Sequence, residues 1–248
     1  MLSLIGIGLE NHKDITLKGL EIVKKTDKIY LDVYTSKFED SIEELEKFYG
    51  KKVMPAEREL LESDKLVNEA KNENVVLLVV GDALSATTHI DLMLQAKKSG
   101  IEINVVHNAS IMTAIGVTGL QLYKFGKTTS IPFWKENYKP ENFYDILKQN
   151  KSIGAHTLCL LDITPEKCMI VNEAIKLLLE VEDKRKEKVF NEDALCVGCA
   201  RVGCKDQKII AGTAKELLSQ DFGKPLHSLI IVGEMHFVEE EALELWKS

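Results

Sequence analysis

The chain has 248 residues, a net charge of -7, a pI near 5.5 and 45% hydrophobic residues. That length suits one large or two small domains and buries enough surface to fold without covalent staples. An acidic balance argues against an electrostatic nucleic-acid binder, which would show a basic stripe. Small molecules or proteins are therefore the expected partners. No window reaches the roughly 18 uninterrupted apolar residues of a membrane span, and the opening MLSLIGIGLENHKD lacks the basic flank and long apolar run of a secretory signal. A cytoplasmic location without membrane association is expected. The five cysteines, at 159, 168, 196, 199 and 204, are expected to be free thiols. Cys196 and Cys199 have metal-ligand spacing but sit in an apolar run, 194–202, that reads as a strand, where residues three apart face opposite ways. With no second pair or nearby histidine to complete a zinc set, no metal is expected.

Residues 2–8 read as a short apolar strand, 9–13 as a polar turn, and 14–25 as a helix with Asp14 or Thr16 near its start. A second strand follows over 28–33. Gly6-Ile7-Gly8 at the end of the first strand and Asp32 at the end of the second invite comparison with a dinucleotide fingerprint. Asn11 replaces the third glycine, however, and the turn is long. The two glycines equally well permit close backbone packing. Residues 36–49 form an acidic helical pattern with Ile42, Leu45 and Phe48 spaced as one stripe. Val53 and Met54 read as a short strand, and 60–70 as a further helix.

Residues 75–89, VVLLVVGDALSATTH, are the centre of the chain. Six apolar residues without alternation predict a strand covered on both faces in a parallel sheet. Gly81 then allows a tight turn, and Asp82 places a carboxylate at the strand's carboxyl end, where open α/β sheets bind ligands. Asp82 alternatively caps a helix over 90–99. Gly100 fits the end of that helix, 101–106 alternates as a strand, and HNAS at 107–110 opens a helix over 111–120. Amides near Ser110 could hold a carboxylate or phosphate; the plainer role for Ser110 is an N-cap.

Periodicity fails between 123 and 138, where aromatic and basic residues gather, and the domain junction is placed at or just before this stretch. The expected division is an N-terminal α/β domain over 1–115 and a C-terminal α/β domain over 116–248. The second half reads as a helix over 141–150, a strand over 157–163, a helix over 171–186, strands over 196–201, 208–211 and 228–232, a short helix over 213–219 and a closing acidic helix over 239–247.

Several long blocks occur in order along nearly the whole chain: LIGIGL at 4–9, DITLKGLE at 14–21, VVGDALSATTH at 79–89, HNASIM at 107–112, GLQLYKFGKTTSIPF at 119–133, HTLCLLDI at 156–163, ARVGCKDQ at 200–207 and DFGKPLHSLIIVGEMHFVEEE at 221–241. Through them the chain resembles the diphthine synthases, a branch of the tetrapyrrole-methylase-like class of S-adenosylmethionine-dependent methyltransferases. The resemblance implies two α/β domains with mixed sheets, S-adenosylmethionine in the interdomain cleft with S-adenosylhomocysteine as product, and a homodimer. Its cofactor contacts carry over to Leu9, Asp82, Ser85, Ser110, Ile111, Leu161, Val202 and His227, several of them through backbone atoms. Ser85 stands where the family pattern has glycine or valine.

The implied substrate is a histidine of elongation factor 2 bearing a 3-amino-3-carboxypropyl group, in diphthamide biosynthesis. Three methylations of its amine give diphthine, and a fourth esterifies the carboxylate to give diphthine methyl ester. HNAS, SIPFW, KDQ and KPLH look eukaryotic and favour the ester. Methyl transfer can proceed largely by alignment of amine and methyl carbon, so no catalytic side chain is required; water is the expected proton acceptor. His89 and His236 are candidate bases, with capping or packing as the plainer alternative. Two other functions use the same features: a small-molecule methylase of precorrin-type rings, and a non-catalytic nucleoside-binding module.

Overall fold

The computed structural model describes residues 1–247, and its contacts divide the chain into two compact units, Met1–Thr113 and the remainder from Ala114. In the first unit the strands are β1 (Leu2–Gly6), β2 (Lys28–Asp32), β3 (Val53–Ala56), β4 (Val75–Val79) and β5 (Ile103–Val106). The helices are α1 (Leu17–Lys25), α2 (Ile42–Tyr49), α3 (Arg58–Leu61), α4 (Lys65–Glu69), α5 (Ile90–Lys98) and α6 (Ile111–Ala114). The strands run in the order β3-β2-β4-β1-β5, every pairing parallel.

Both faces of this sheet are covered, which is why its strands read as unbroken apolar runs. Leu2 and Leu4 of β1 with Val75, Leu77 and Val79 of β4 pack on one side with Leu66, Leu92 and Ala96 of the helices. Ile5, Val76 and Leu78 face the other way onto Val23, Leu45 and Tyr49. The connection from β1 to β2 passes β4, and that from β4 to β5 passes β1 in the opposite direction. Between the carboxyl ends of β1 and β4 the connections therefore diverge, at the switch point where such sheets leave a crevice.

Local chemistry sets the helix ends. Thr16 caps α1 by accepting from Gly19 N, and Ser41 forms a reciprocal capping box with Glu44 before α2, which stops at Gly50 with φ +68°. The helix expected over 14–25 thus begins at Leu17, and Asp14 lies in a 3-10 turn, His12–Asp14. The acidic helix begins at Ile42 rather than 36, and Tyr49 fills the core position expected of Phe48, which is 38% exposed. The helix expected over 60–70 is two short helices, α3 and α4; the Ser63 hydroxyl between them donates to Leu60 O instead of continuing the turn. The helix expected over 111–120 is α6 followed by a 3-10 turn, Ile115–Thr118, and ends at Gly119 with φ +88°.

The second unit has β6 (Thr129–Ile131), α7 (Asn142–Ser152), β7 (Thr157–Leu161), α8 (Val171–Arg185), β8 (Leu195–Ala200), β9 (Lys208–Thr213), α9 (Ala214–Leu217), β10 (His227–Ile231) and α10 (Phe237–Leu243). Its sheet is mixed, ordered β6-β7-β10-β8-β9, with β6 parallel to β7 and the other pairs antiparallel. Strand β6 lies inside the stretch where no element was expected, because three residues are too few to show a period. Phe143, Leu147, Ile175 and Leu178 of α7 and α8 pack on Ile131, Cys159, Cys196 and Leu229 of the sheet. Cys196 joins this core while Cys199, three residues on, points to the other face; burial pushes both thiols up, that of Cys199 to about 12.

A buried polar network ties the end of this unit to its start. Glu239, fully buried in α10, accepts from Gln121 N at 2.8 Å, His236 N at 2.8 Å, His156 Nε2 at 3.0 Å and Lys124 Nζ. His156 Nδ1 in turn accepts from Gly233 N at 2.9 Å, which fixes the proton on Nε2. Burial would raise the Glu239 carboxyl, but these donors outweigh it and bring it down to about 2. Among the described residues no helix is long and apolar enough to cross a membrane.

Candidate functional site

Three strand ends of the first unit meet at its switch point. Gly8 and Gly81, just past β1 and β4, form a backbone bridge with N–O distances of 3.2 and 2.7 Å. Asn108, just past β5, donates through Nδ2 to Gly6 O at 3.0 Å and to Asp14 O at 2.9 Å. Asp14 accepts from the amides of Leu9 and Glu10 at 3.2 and 2.8 Å, closing the loop after β1. The approach is so close that glycine is required at two places. A Cβ on Gly6 would stand 2.6 Å from Gly81 O, and one on Gly8, whose φ is +82°, 2.3 Å from Asp14 Cβ. The glycine pair thus serves close packing between loops, the second of the two readings its spacing allowed.

Asp82 organises the turn after β4. Its Oδ1 accepts from Leu84 N at 2.9 Å and Ser85 Oγ at 3.2 Å; its Oδ2 accepts from Asn108 N at 3.0 Å and His107 Nδ1 at 2.8 Å. Burial, with 5% of the residue exposed, would raise its carboxyl, but these hydrogen bonds outweigh that and hold it below the usual carboxylate range. A carboxylate offers about four acceptor positions, and protein donors fill them. Asp82 does not cap α5: the N-cap of that helix is His89, which makes no side-chain capping bond. Instead Asp82 ties the β4 turn to the β5 turn.

Of the residues expected to bind cofactor, five lie at this edge. Leu9 follows the Gly8 bridge, Ser85 is bonded to Asp82, and Ser110 and Ile111 lead into α6 beside Gly81, whose Cβ would fall 3.8 Å from Ser110 Cα. Ser110 does not act as an N-cap in the expected way; its own amide donates to Thr113 Oγ1 at 3.3 Å. Within the second unit, Leu161 and His227 end the adjacent antiparallel strands β7 and β10, and Val202 follows β8, whose Ala200 is paired with His227. The His227 ring is engaged within the fold: Nε2 donates to Lys224 O at 2.9 Å and Nδ1 accepts from Val171 N at 3.4 Å, while burial pulls its imidazole below the usual value.

The two candidate bases occupy other roles. His236 caps α10 by accepting from Val238 N. His89 is buried, with Nδ1 3.2 Å from Ala83 O and Nε2 3.1 Å from Asp32 Oδ2, at ion-pair distance without hydrogen-bond alignment. Asp32, opposed by burial but stabilised by His89 and Thr35, stays below the ordinary carboxylate range. The residues not foreseen as part of the site are Asp14, His107 and Asn108. HNAS placed two of them in a loop, but nothing local reveals that their partners lie 25 to 102 residues away.

A tight glycine turn at the switch point of a doubly covered parallel sheet, followed by a second, mixed-sheet unit, defines a two-unit α/β protein. Residues 1–218 match the model of the tetrapyrrole (corrin/porphyrin) methylase family, and the chain belongs to that family. It is 50% identical to a diphthine methyl ester synthase of Dictyostelium discoideum, covering 100% of this chain and 98% of the relative. It is 47% identical to a diphthine synthase of Methanococcus aeolicus, covering 98% and 97%. A crystal structure of diphthine synthase superposes with a TM-score of 0.91 at 40% identity, covering 99% of this chain and 95% of the other. The α/β, tetrapyrrole-methylase-like fold that the sequence blocks implied is therefore the fold found.

Proposed function

We propose that this chain is an S-adenosylmethionine-dependent methyltransferase acting on the 3-amino-3-carboxypropyl histidine of elongation factor 2 in diphthamide biosynthesis. The observation that carries the reading is the convergence of Gly8, Gly81 and Asn108 at the switch point of a chain in the methylase family. The residues at that edge fit a nucleoside: Leu9 and Ile111 supply apolar surface, and Ser85 and Ser110 supply hydroxyls, the combination of apolar walls and few fixed polar groups that small ligands need. S-adenosylmethionine supplies an electrophilic methyl group on a sulfonium. The chain's part is to hold and align. Asp82 keeps the β4 and β5 turns at fixed separation, Ser85 donates to Asp82 and so turns its lone pairs outward, and the Asp14–Asn108 bonds brace the turn after β1. Leu161, Val202 and His227 are proposed as further cofactor contacts on the family resemblance, and the saturated His227 ring would leave its backbone for that role.

The eukaryotic-looking words HNAS, SIPFW, KDQ and KPLH support a fourth, ester-forming methylation. The test is incubation with S-adenosylmethionine and elongation factor 2 carrying the unmethylated side chain, followed by mass spectrometry. Four added methyl groups are expected; three would leave the product as diphthine. None, with the cofactor bound in a calorimeter, would mark a binding module, and methyl transfer to a precorrin-type ring would mark the small-molecule enzyme.

A further inference from the structure

Methyl transfer to an amine has a requirement that alignment alone does not meet. The acceptor is an ammonium at neutral pH and has no lone pair until a proton leaves. Carrying the amine to the trimethylated state releases three protons, one before each transfer. A base beside the acceptor is therefore useful three times per substrate.

At the ligand edge of the first unit, one imidazole is set up as such a base. His107 follows β5, and its side chain is 71% exposed while the Asp82 carboxylate behind it is 7% exposed. Nδ1 lies 2.8 Å from Asp82 Oδ2, a carboxylate that can only accept, so the proton of the neutral ring sits on Nδ1. Nε2 then presents its lone pair outward, and among the described residues no hydrogen bond engages it. His12 also pairs Nδ1 with a carboxylate, Asp40 Oδ2 at 2.7 Å, but its side chain is only 24% exposed and its ring lies 4.4 Å from that of Phe48; of the other histidines, His89, His156 and His227 are buried, and His236 uses Nδ1 as a helix cap. Asp82 cannot swing away to release His107, because three other donors hold it. The charged and titratable groups on the flanking loops are Asp82 itself, Asp14, which is occupied by the amides of Leu9 and Glu10, and Glu10, His12 and Lys13 of the turn after β1.

We infer that His107, oriented by Asp82, is the general base that deprotonates the substrate ammonium before each N-methyl transfer. This rests on the functional reading above. Nε2 takes a proton from the ammonium, leaving imidazolium and a neutral amine. The amine lone pair forms the N–C bond to the methyl carbon as the C–S bond breaks and its electron pair stays on sulfur, and the imidazolium returns its proton to water. Charge balances: ammonium plus sulfonium become methylammonium, thioether and a solvated proton.

The test compares wild type with His107→Gln, which can still donate to Asp82, and with His107→Ala. Cofactor binding by calorimetry and thermal unfolding are followed alongside methyl transfer to unmethylated elongation factor 2. We expect His107→Gln to keep its fold and its S-adenosylmethionine affinity while first-methyl transfer at pH 7 falls about 100-fold, within the range of a positioned base. The deficit should close as pH rises through the titration of the amine, about 8 to 10, and imidazole in solution should restore part of the rate to His107→Ala. Equal rates at pH 7, or a deficit that is constant with pH and unaffected by imidazole, would overturn the assignment. A wild-type enzyme that transfers no methyl group would instead sink the functional reading beneath it.

Discussion

Replacing Glu239 with glutamine removes one charge from the buried network of the second unit and nothing else of similar size. The carboxyl moves from about 4.5 in the unfolded chain to about 2 in the fold. At about 1.4 kcal/mol per pKa unit, that difference makes ionised Glu239 worth roughly 3 kcal/mol of stability. Because the folded value is depressed, the contribution is fully present above about pH 4.5 and is lost as pH falls towards 2. In Glu239→Gln the amide NH2 faces donors at Lys124 Nζ or His236 N, so at pH 7 the variant should be less stable by about 3–5 kcal/mol, as when one member of a buried pair is removed. Its stability should also fall less below pH 4.5 than the wild type's, the remaining fall coming from Glu182 of the same unit, which against the effect of burial Tyr144 and the amides of Lys188, Val189 and Phe190 hold down to about 2. His156, pulled below the usual imidazole value by burial, adds a loss that begins as pH falls below about 6.5 and is common to both proteins. Urea unfolding followed by tryptophan fluorescence reads this unit selectively, since Trp134 and Trp246 both lie in it. If wild type and variant lost the same stability between pH 4.5 and 2, Glu239 would not be the charged centre of the network.

Other perturbations bear on the first unit. Gly6→Ala drives a methyl group against Gly81 O and should cost about 1–3 kcal/mol while weakening S-adenosylmethionine binding, read by hydrogen exchange of β1 and β4 and by calorimetry; an unchanged exchange pattern would refute the close-approach argument. Asn108→Ala leaves Gly6 O and Asp14 O without their side-chain donor, a loss of about 1–3 kcal/mol by the same exchange measurement. Asp82→Asn turns an acceptor into a donor facing other donors, and cofactor affinity should drop at least about tenfold, or 1.4 kcal/mol; full affinity and turnover would remove Asp82 from the site. In the second unit, a Cβ at Gly198 would fall 2.3 Å from Phe222 Cζ, so Gly198→Ala should lower the fluorescence-detected midpoint by a few degrees.

How much was legible in the sequence follows from the range of the forces involved. The run 75–80 declared a doubly covered parallel strand because burial on both faces leaves no polar position to alternate with. The blocks from LIGIGL to IVGEMHF carried the fold and family because they are long and ordered. Helix starts were misplaced where a local hydrogen bond decided them, as at Ser41 and Ser63. Asp82 was singled out by its position, yet its partners were not, since His107 and Asn108 reach it only after a helix and a strand intervene. Glu239 was read as the start of a closing acidic helix; its four donors come from Gln121, Lys124, His156 and His236, and no local pattern distinguishes it from Glu240 beside it.

The strand order of the first sheet also bears on how the protein is made. The segment Leu2–Gly6 leaves the ribosome before both of its neighbours, Val75–Val79 and Ile103–Val106. At translation speeds of roughly 5–20 residues per second, its apolar sequence stays unpaired for about 5–20 seconds. Nascent chains should therefore need chaperone shielding until codon 106 has been read, and slowing elongation ahead of residue 106 should lower the soluble yield more than slowing it afterwards.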